Sequence, residues 1–444
     1  MQTIDQLLHA KWIITCEQNN RVLEHHALAI HEGKILDILP SKEASHRYQT
    51  KNEIHFNTHA IMPGLINAHT HIAMNLFRGL ADDLELMDWL TNHIWPAEAK
   101  WVSHDLVYDG SLLAMAEMIR GGTLCFNDMY FFMNATAEAA SKAGMRAHIG
   151  MTIIDVPTAW AKTTEEYFAK AIAFYEQYKT NPLVTPTLAP HSTYTVSIEN
   201  LERVKRLADD YQLKINLHLQ EAPSEMLQAH AKHQRRPLHR IHEIGLVSPQ
   251  LIAIHMTQLN DEDLAILQET KPNIVHCPES NMKLVSGSCP VEKLDLLGIN
   301  VALGTDGAAS NNDLDMFGEM RSAAFLGKVT ANDPCAVSAE KVLQMATLHG
   351  ARALGIDHYT GSLEIGKQAD CIAIDFNHIE TQPLYHPVSQ IVYATPRQQV
   401  TDAWVSGQPI MRNRKLIHLD EAELLTKAQN WRNKINCSYN AEPK

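Results

Sequence analysis

Through the middle of the chain, short apolar runs of strand length alternate with longer stretches of helical period. The apolar runs fall at 61–68, 123–127, 147–152, 184–189, 214–219, 251–255, 273–276 and 300–303. Between them, apolar residues recur at helical spacing over 105–120, 135–143, 164–177, 198–211 and 261–270. Strands that each lead into a connecting helix predict an α/β fold, a (β/α)8 TIM-like barrel over residues 61–360. A doubly wound open sheet is the competing architecture, but no Gly-x-Gly-x-x-Gly follows an early strand.

The two ends read differently. Apolar and polar positions alternate at 7–16, 26–31 and 34–39, with Glu32-Gly33 as a turn. The C-terminal stretch has a short strand at 371–375 and a hairpin, 402–406 with 409–412, around Gly407-Gln408. Residues 1–60 and 361–444 are expected to form one small β-sandwich domain, followed by a terminal helix near 420–434. No internal repeat or low-complexity segment interrupts this plan.

Composition narrows the class. A chain of 444 residues has room for one large domain and a smaller one, and 45% hydrophobic with 20% charged residues is ordinary for a globular protein. The net charge of -13 argues against a nucleic-acid partner, although solubility explains it equally well. Seven widely spaced cysteines without a Cys-x-x-Cys suit reduced thiols, and hence a cytoplasmic protein. Gln2, Asp5, Gln6 and His9 interrupt any signal-like start, and no apolar run reaches membrane-spanning length, so no membrane partner is expected.

In a barrel, the C-terminal strand ends share one mouth. The first strand leads into His69-Thr70-His71, whose imidazoles point the same way because side chains two apart share a face. Strand four ends at His191, strand five at His218 with Glu221 beyond it, strand six at His255, strand seven at His276 and strand eight at Asp306. Each has a bland reading: His218 as a core histidine, Asp306 as a turn residue before Gly307, Glu221 as a solvated loop carboxylate, His276 as a structural donor. Their convergence on one mouth is what points to chemistry. Imidazoles with one carboxylate suit Zn²⁺, one ion per subunit; Fe²⁺, Mn²⁺ or Ni²⁺ fit the same donors. Such a cation lowers the pKa of a bound water, Asp306 can accept its proton, Glu221 can shuttle a proton to substrate, and His255 can polarise the attacked centre.

Three stretches resemble the amidohydrolase superfamily, and the likeness covers nearly the whole chain. They are Pro63-Gly64-Leu65-Ile66-Asn67-Ala68-His69-Thr70-His71, His276-Cys277-Pro278-Glu279-Ser280-Asn281-Met282-Lys283-Leu284, and Gly361-Ser362-Leu363-Glu364-Ile365-Gly366-Lys367-Gln368-Ala369-Asp370. Within the superfamily the chain is most similar to the 5-methylthioadenosine/S-adenosylhomocysteine deaminases. That resemblance implies a mononuclear site with His69, His71, His218 and Asp306 as ligands, and strand four offers no lysine for a bridged pair. It implies that Glu221 protonates the purine ring, that His255 orients the hydroxide, and that Trp89, Glu98, His191, His276 and Ser310 contact substrate, with Glu98 on the ribose hydroxyls. The family's arginines for the homocysteine tail have no counterpart in 155–178, where Lys162 and Lys170 are the only bases.

The expected activity is hydrolytic deamination of 5'-methylthioadenosine, S-adenosylhomocysteine or adenosine. The alternative within the superfamily is a guanine or cytosine deaminase or a triazine chlorohydrolase. A metal-free scaffold fits least, because the ligand candidates and Glu221 are all present. By resemblance, the enzyme is expected to be a homo-oligomer.

Overall fold

The computed structural model describes residues 1–439, and side chains through residue 436; the Cys437 thiol lies outside them. Its centre is an eight-stranded parallel sheet in chain order. The strands are Leu65–Thr70, Thr123–Tyr130, Arg146–Ile153, Val184–Pro190, Ile215–Leu219, Leu251–His255, Asn273–His276 and Asn300–Leu303, here barrel strands one to eight. Nearly every strand residue is buried, which is why these segments read as unbroken apolar runs rather than alternating ones. The outer helices start where a side chain takes up free backbone N–H groups. Ser103 caps His104–Arg120, Thr163 caps Thr164–Tyr178, and Asn260 forms a capping box on Asp261–Thr270.

The run at 61–68 is not one strand. It is cut at Gly64: Glu53–Pro63 belongs to the outer sheet and Leu65–Thr70 to the barrel. A Cβ at Gly64 would lie 2.3 Å from Leu124 Cδ1, so only glycine lets the chain pass there. One apolar run therefore serves two sheets, a division that hydrophobicity cannot mark.

The barrel closes without a regular ladder between strands eight and one. Ile66 N donates to Ala346 O at 2.8 Å instead. The seam is joined by Asp306 N donating to His69 O (3.1 Å), by Thr305 N donating to Asn67 Oδ1 (3.0 Å), and by Asn67 Nδ2 donating to Thr305 Oγ1 (2.7 Å). A Cβ at Gly304 would stand 2.7 Å from His69 N. Glycine is what permits this approach.

Both termini build a second eight-stranded sheet. It curls so that Ala369 N donates to Gly33 O (2.9 Å) and Gln6 Nε2 to Gly407 O (2.5 Å), enclosing Leu8, Leu28, Ile61 and Trp404. The sandwich is thus one folded-over sheet. The terminal helix runs Glu421–Tyr439 and lies against His104–Arg120. Among the described residues, no helix is long and apolar enough to cross a membrane.

Arg146 clamps the sheet to the barrel. Its Nε and Nη2 donate to Asp370 Oδ2 (2.6 Å) and Oδ1 (3.0 Å), and both side chains are almost fully buried. Thr360 Oγ1 and Ser406 N also donate to Asp370. The substitution Arg146→Met strands a buried carboxylate and is expected to cost about 3–5 kcal/mol in the first urea-unfolding transition. A loss below about 1 kcal/mol, the scale of an exposed pair, would show that the clamp is not structural.

Candidate metal centre and active-site cavity

His69 Nε2 lies 3.3 Å and His71 Nε2 3.2 Å from Asp306 Oδ1, and His218 Nε2 lies 3.2 Å from His69 Nε2. One donor atom from each of His69, His71, His218 and Asp306 falls within 4.8 Å of the others. The strands that deliver them are one, five and eight, each at its C-terminal end or just past it.

Backbone carbonyls aim the rings. His71 Nδ1 donates to Met129 O (2.5 Å) and His218 Nδ1 to His191 O (2.7 Å), which leaves the Nε2 lone pairs directed at the cluster. The carboxylate is held from behind. Ser280 Oγ (2.7 Å) and Ser310 Oγ (2.8 Å) donate to Asp306 Oδ2, while Thr70 Oγ1 donates to Asp306 O (2.9 Å). Asp306 sits at φ 61°, a left-handed conformation that costs a non-glycine residue about 1–3 kcal/mol.

Electrostatics point to a cation. Burial opposes charge on His71, but the Asp306 carboxylate and the Met129 carbonyl carry its pKa up to about 9. Burial drives His69 down to about 4 and His218 well below the usual range. Burial also resists charge on Asp306, yet its bonds to His69 and His71 hold it well below the usual carboxylate range. The carboxylate thus draws one positive charge into a buried nest of nitrogens. His69 is fully buried, its Nδ1 has no hydrogen-bond partner, and its Nε2 faces that of His218. Nitrogen lone pairs facing one another across 3.2 Å need a proton or a cation between them. The donor set fits a divalent metal ion.

A cavity of about 650 Å³ opens onto the cluster. His71, His191, His218, Glu221, His255, Asp306 and Ser310 line it, as do Trp89 and Glu98 from the helical excursion after strand one. Glu98 accepts from Tyr130 Oη at 2.7 Å, and burial raises its pKa against that bond. Burial also raises the pKa of Glu221, partly opposed by His255, whose Nε2 is 3.7 Å from Glu221 Oε1. His276, expected to contact substrate, is 1% exposed and is not among the residues that line the cavity. Ser310 does reach the cavity, but its hydroxyl is engaged by Asp306.

Several supporting residues escaped the sequence reading. Asn67 is buried at the seam against Thr305, and Asn127 and Asn216 form a pair of buried amides. Asn127 Nδ2 donates to Ala68 O and Asn216 Oδ1 (both 2.8 Å), and Asn216 Nδ2 donates to Thr187 Oγ1 (2.8 Å). The signal was available: Asn67 and Asn216 each stand two residues before a histidine of the cluster. Asn281 Nδ2 lies 3.1 Å from His255 Nδ1, and Glu225 Oε2 accepts from Glu221 N at 2.8 Å. No spacing rule ties these pairs together.

The description "Amidohydrolase family" matches residues 60–410. The chain belongs to the amidohydrolase family. Among curated amidohydrolase relatives, it is 44% identical to the 5-methylthioadenosine/S-adenosylhomocysteine deaminase of Teredinibacter turnerae, over 98% of each chain. It is 38% identical to the 5'-deoxyadenosine deaminase of Methanosarcina barkeri, over 98% of this chain and 100% of that one. Among solved structures, an adenosine deaminase from Xanthomonas campestris with bound zinc superposes with a TM-score of 0.97 at 46% identity, covering 98% of this chain and 99% of that one.

The serine that holds Asp306 gives a test of the metal centre. Ser280→Ala removes a bond behind a ligand carboxylate and is expected to weaken zinc affinity about 10–100-fold in competition with a chromophoric chelator. Unchanged affinity would mean that the Ser280 hydroxyl does not support a metal-binding carboxylate, Ser310 still donating to Asp306.

Proposed function

We propose that this amidohydrolase is a zinc-dependent aminohydrolase that converts the adenine of a nucleoside to hypoxanthine and releases ammonia. The observation that carries the reading is Glu221. It is a buried carboxyl held above the usual range, lining the same cavity as the His69, His71, His218 and Asp306 cluster. The nucleoside deaminase names of the relatives support the substrate class.

His69, His71, His218 and Asp306 hold the ion. Zinc is favoured by the nitrogen-rich donor set and by the zinc in the similar Xanthomonas structure. When bound, the ion supplies the Lewis acidity that makes a water nucleophilic near neutral pH. The remaining work belongs to side chains. Glu221 gives its proton to purine N1 as C6 becomes tetrahedral, so that ring charge does not build up. Asp306 takes the proton of the attacking water and returns it to the departing amino group. The C6–N bond breaks and ammonia leaves; N1 keeps the proton it received, as hypoxanthine requires, and the remaining proton on the C6 oxygen passes to Glu221, directly or through solvent. His255, beside Glu221, donates from Nε2 to the attacking oxygen. His191 and Trp89 bound the purine, and Glu98, anchored by Tyr130, accepts from the ribose hydroxyls.

Zinc-loaded protein is expected to turn 5'-methylthioadenosine and adenosine into their hypoxanthine products, followed by the adenine absorbance change and by ammonia release. Glu221→Gln is expected to lower kcat about 10²–10⁴-fold with zinc content intact. Absence of turnover in metal-replete protein would remove the reading. For Glu98, the readout is adenosine against 2',3'-dideoxyadenosine. The wild-type preference for adenosine, about tenfold or more, should fall toward unity in Glu98→Ala. A preference that survives would place the ribose elsewhere.

A further inference from the structure

Outward from the histidines, the cavity runs between two segments, one after barrel strand one and one after barrel strand three. Leu90, Ile94 and Trp95 line the first side, and Ile154, Val156 and Pro157 the second. Lys162 is the one lysine or arginine side chain lining the cavity. It is exposed, and its Nζ already donates to Thr158 O at 2.7 Å. Lys170, the other base of that segment, bonds to the Trp160 carbonyl and pairs with Glu166 at 2.8 Å; it does not line the cavity. The lining carboxylates are Glu98, Glu221 and Asp306.

C6 and C5' lie at opposite ends of an adenine nucleoside. A substrate that presents C6 to the His69, His71, His218 and Asp306 cluster carries its 5' substituent outward, between those apolar walls. A thioether or alkyl group there buries apolar surface against like surface. An amino-acid tail must bring a carboxylate into a cavity that already holds carboxylates, with one lysine to meet it, an exposed one that also donates to Thr158 O.

Resting on the adenine-nucleoside reading above, we propose that the outer cavity is a specificity site for uncharged 5' substituents. It disfavours the zwitterionic tail of S-adenosylhomocysteine by offering the tail carboxylate no basic side chain but the solvent-exposed Lys162, and Ile154 and Val156 form the selecting wall.

The test separates charge from length. The kcat/KM of the zinc-loaded enzyme is measured on 5'-methylthioadenosine, 5'-butylthioadenosine and S-adenosylhomocysteine; the butylthio group reaches as far as the amino-acid tail without its charges. The two thioethers are expected within about tenfold of each other, and S-adenosylhomocysteine at least about hundredfold below the butylthio compound. Val156→Arg, at an exposed position, adds a cation to the wall and should raise the ratio of S-adenosylhomocysteine to butylthio turnover at least about tenfold. Lys162→Glu should move that ratio the other way. Comparable turnover of the two long substrates by the wild type would overturn the inference, whether both are good or both poor. So would a ratio that neither substitution moves. If adenosine and all three compounds are inert, the nucleoside reading itself falls; if adenosine is turned over while the predicted order fails, only the specificity inference does.

Discussion

The seam between barrel strands eight and one is where the fold and the site become one problem. At Gly304 the two backbones come too close for any side chain, since a Cβ would stand 2.7 Å from His69 N. No regular ladder joins the strands there, so residues 304–306 are free to turn. Asp306 turns at φ 61°, and its carboxylate comes back onto the rings of His69 and His71. The cost of that backbone is offset by bonds to its own N–H and C=O, from His69 O and Thr70 Oγ1, and by two serine hydroxyls on the carboxylate. Without this closure, strand one's histidines would face a carboxylate out of reach.

The orientation of the rings follows from sheet register. His71 is aimed by a carbonyl at the end of strand two and His218 by the carbonyl just beyond strand four. Each is a neighbouring strand in the sheet. A slip of one residue in either pairing would turn the carbonyl away and release the imidazole. The buried amides of Asn127 and Asn216 link strands one, two, four and five, and Asn67 links strand one to Thr305 at the seam. Burial raises Glu221 and depresses His69 in this interior, where His69 Nδ1 and both ring nitrogens of His276 have no hydrogen-bond partner.

Stability and chemistry sit at opposite ends of the barrel. Arg146 begins strand three and grips Asp370, at the end away from the histidines. Trp89 and Glu98, from the helical excursion after strand one, and Ile154 and Val156, from the segment after strand three, instead line the cavity beside the histidines.

How much was legible depended on whether the signal was local. Barrel strands six, seven and eight run where their apolar runs lie, and the helices Ile198–Tyr211 and Asp261–Thr270 coincide with their periodic stretches. His69-x-His71 announced itself because strand alternation is a local rule. The helix Met316–Ala331 did not, because it is packed among other helices and lacks a clean polar stripe. The break at Gly64 was hidden because both halves of the run are buried, each in a different sheet. A strand-end position likewise does not say whether a side chain such as that of His276, 1% exposed, reaches the cavity. Residue order by itself determined the donor types and their positions at successive strand ends. Tertiary structure alone decided which of them meet, since contact between His69, His218 and Asp306 depends on register, closure and backbone turns set by residues far away in the chain.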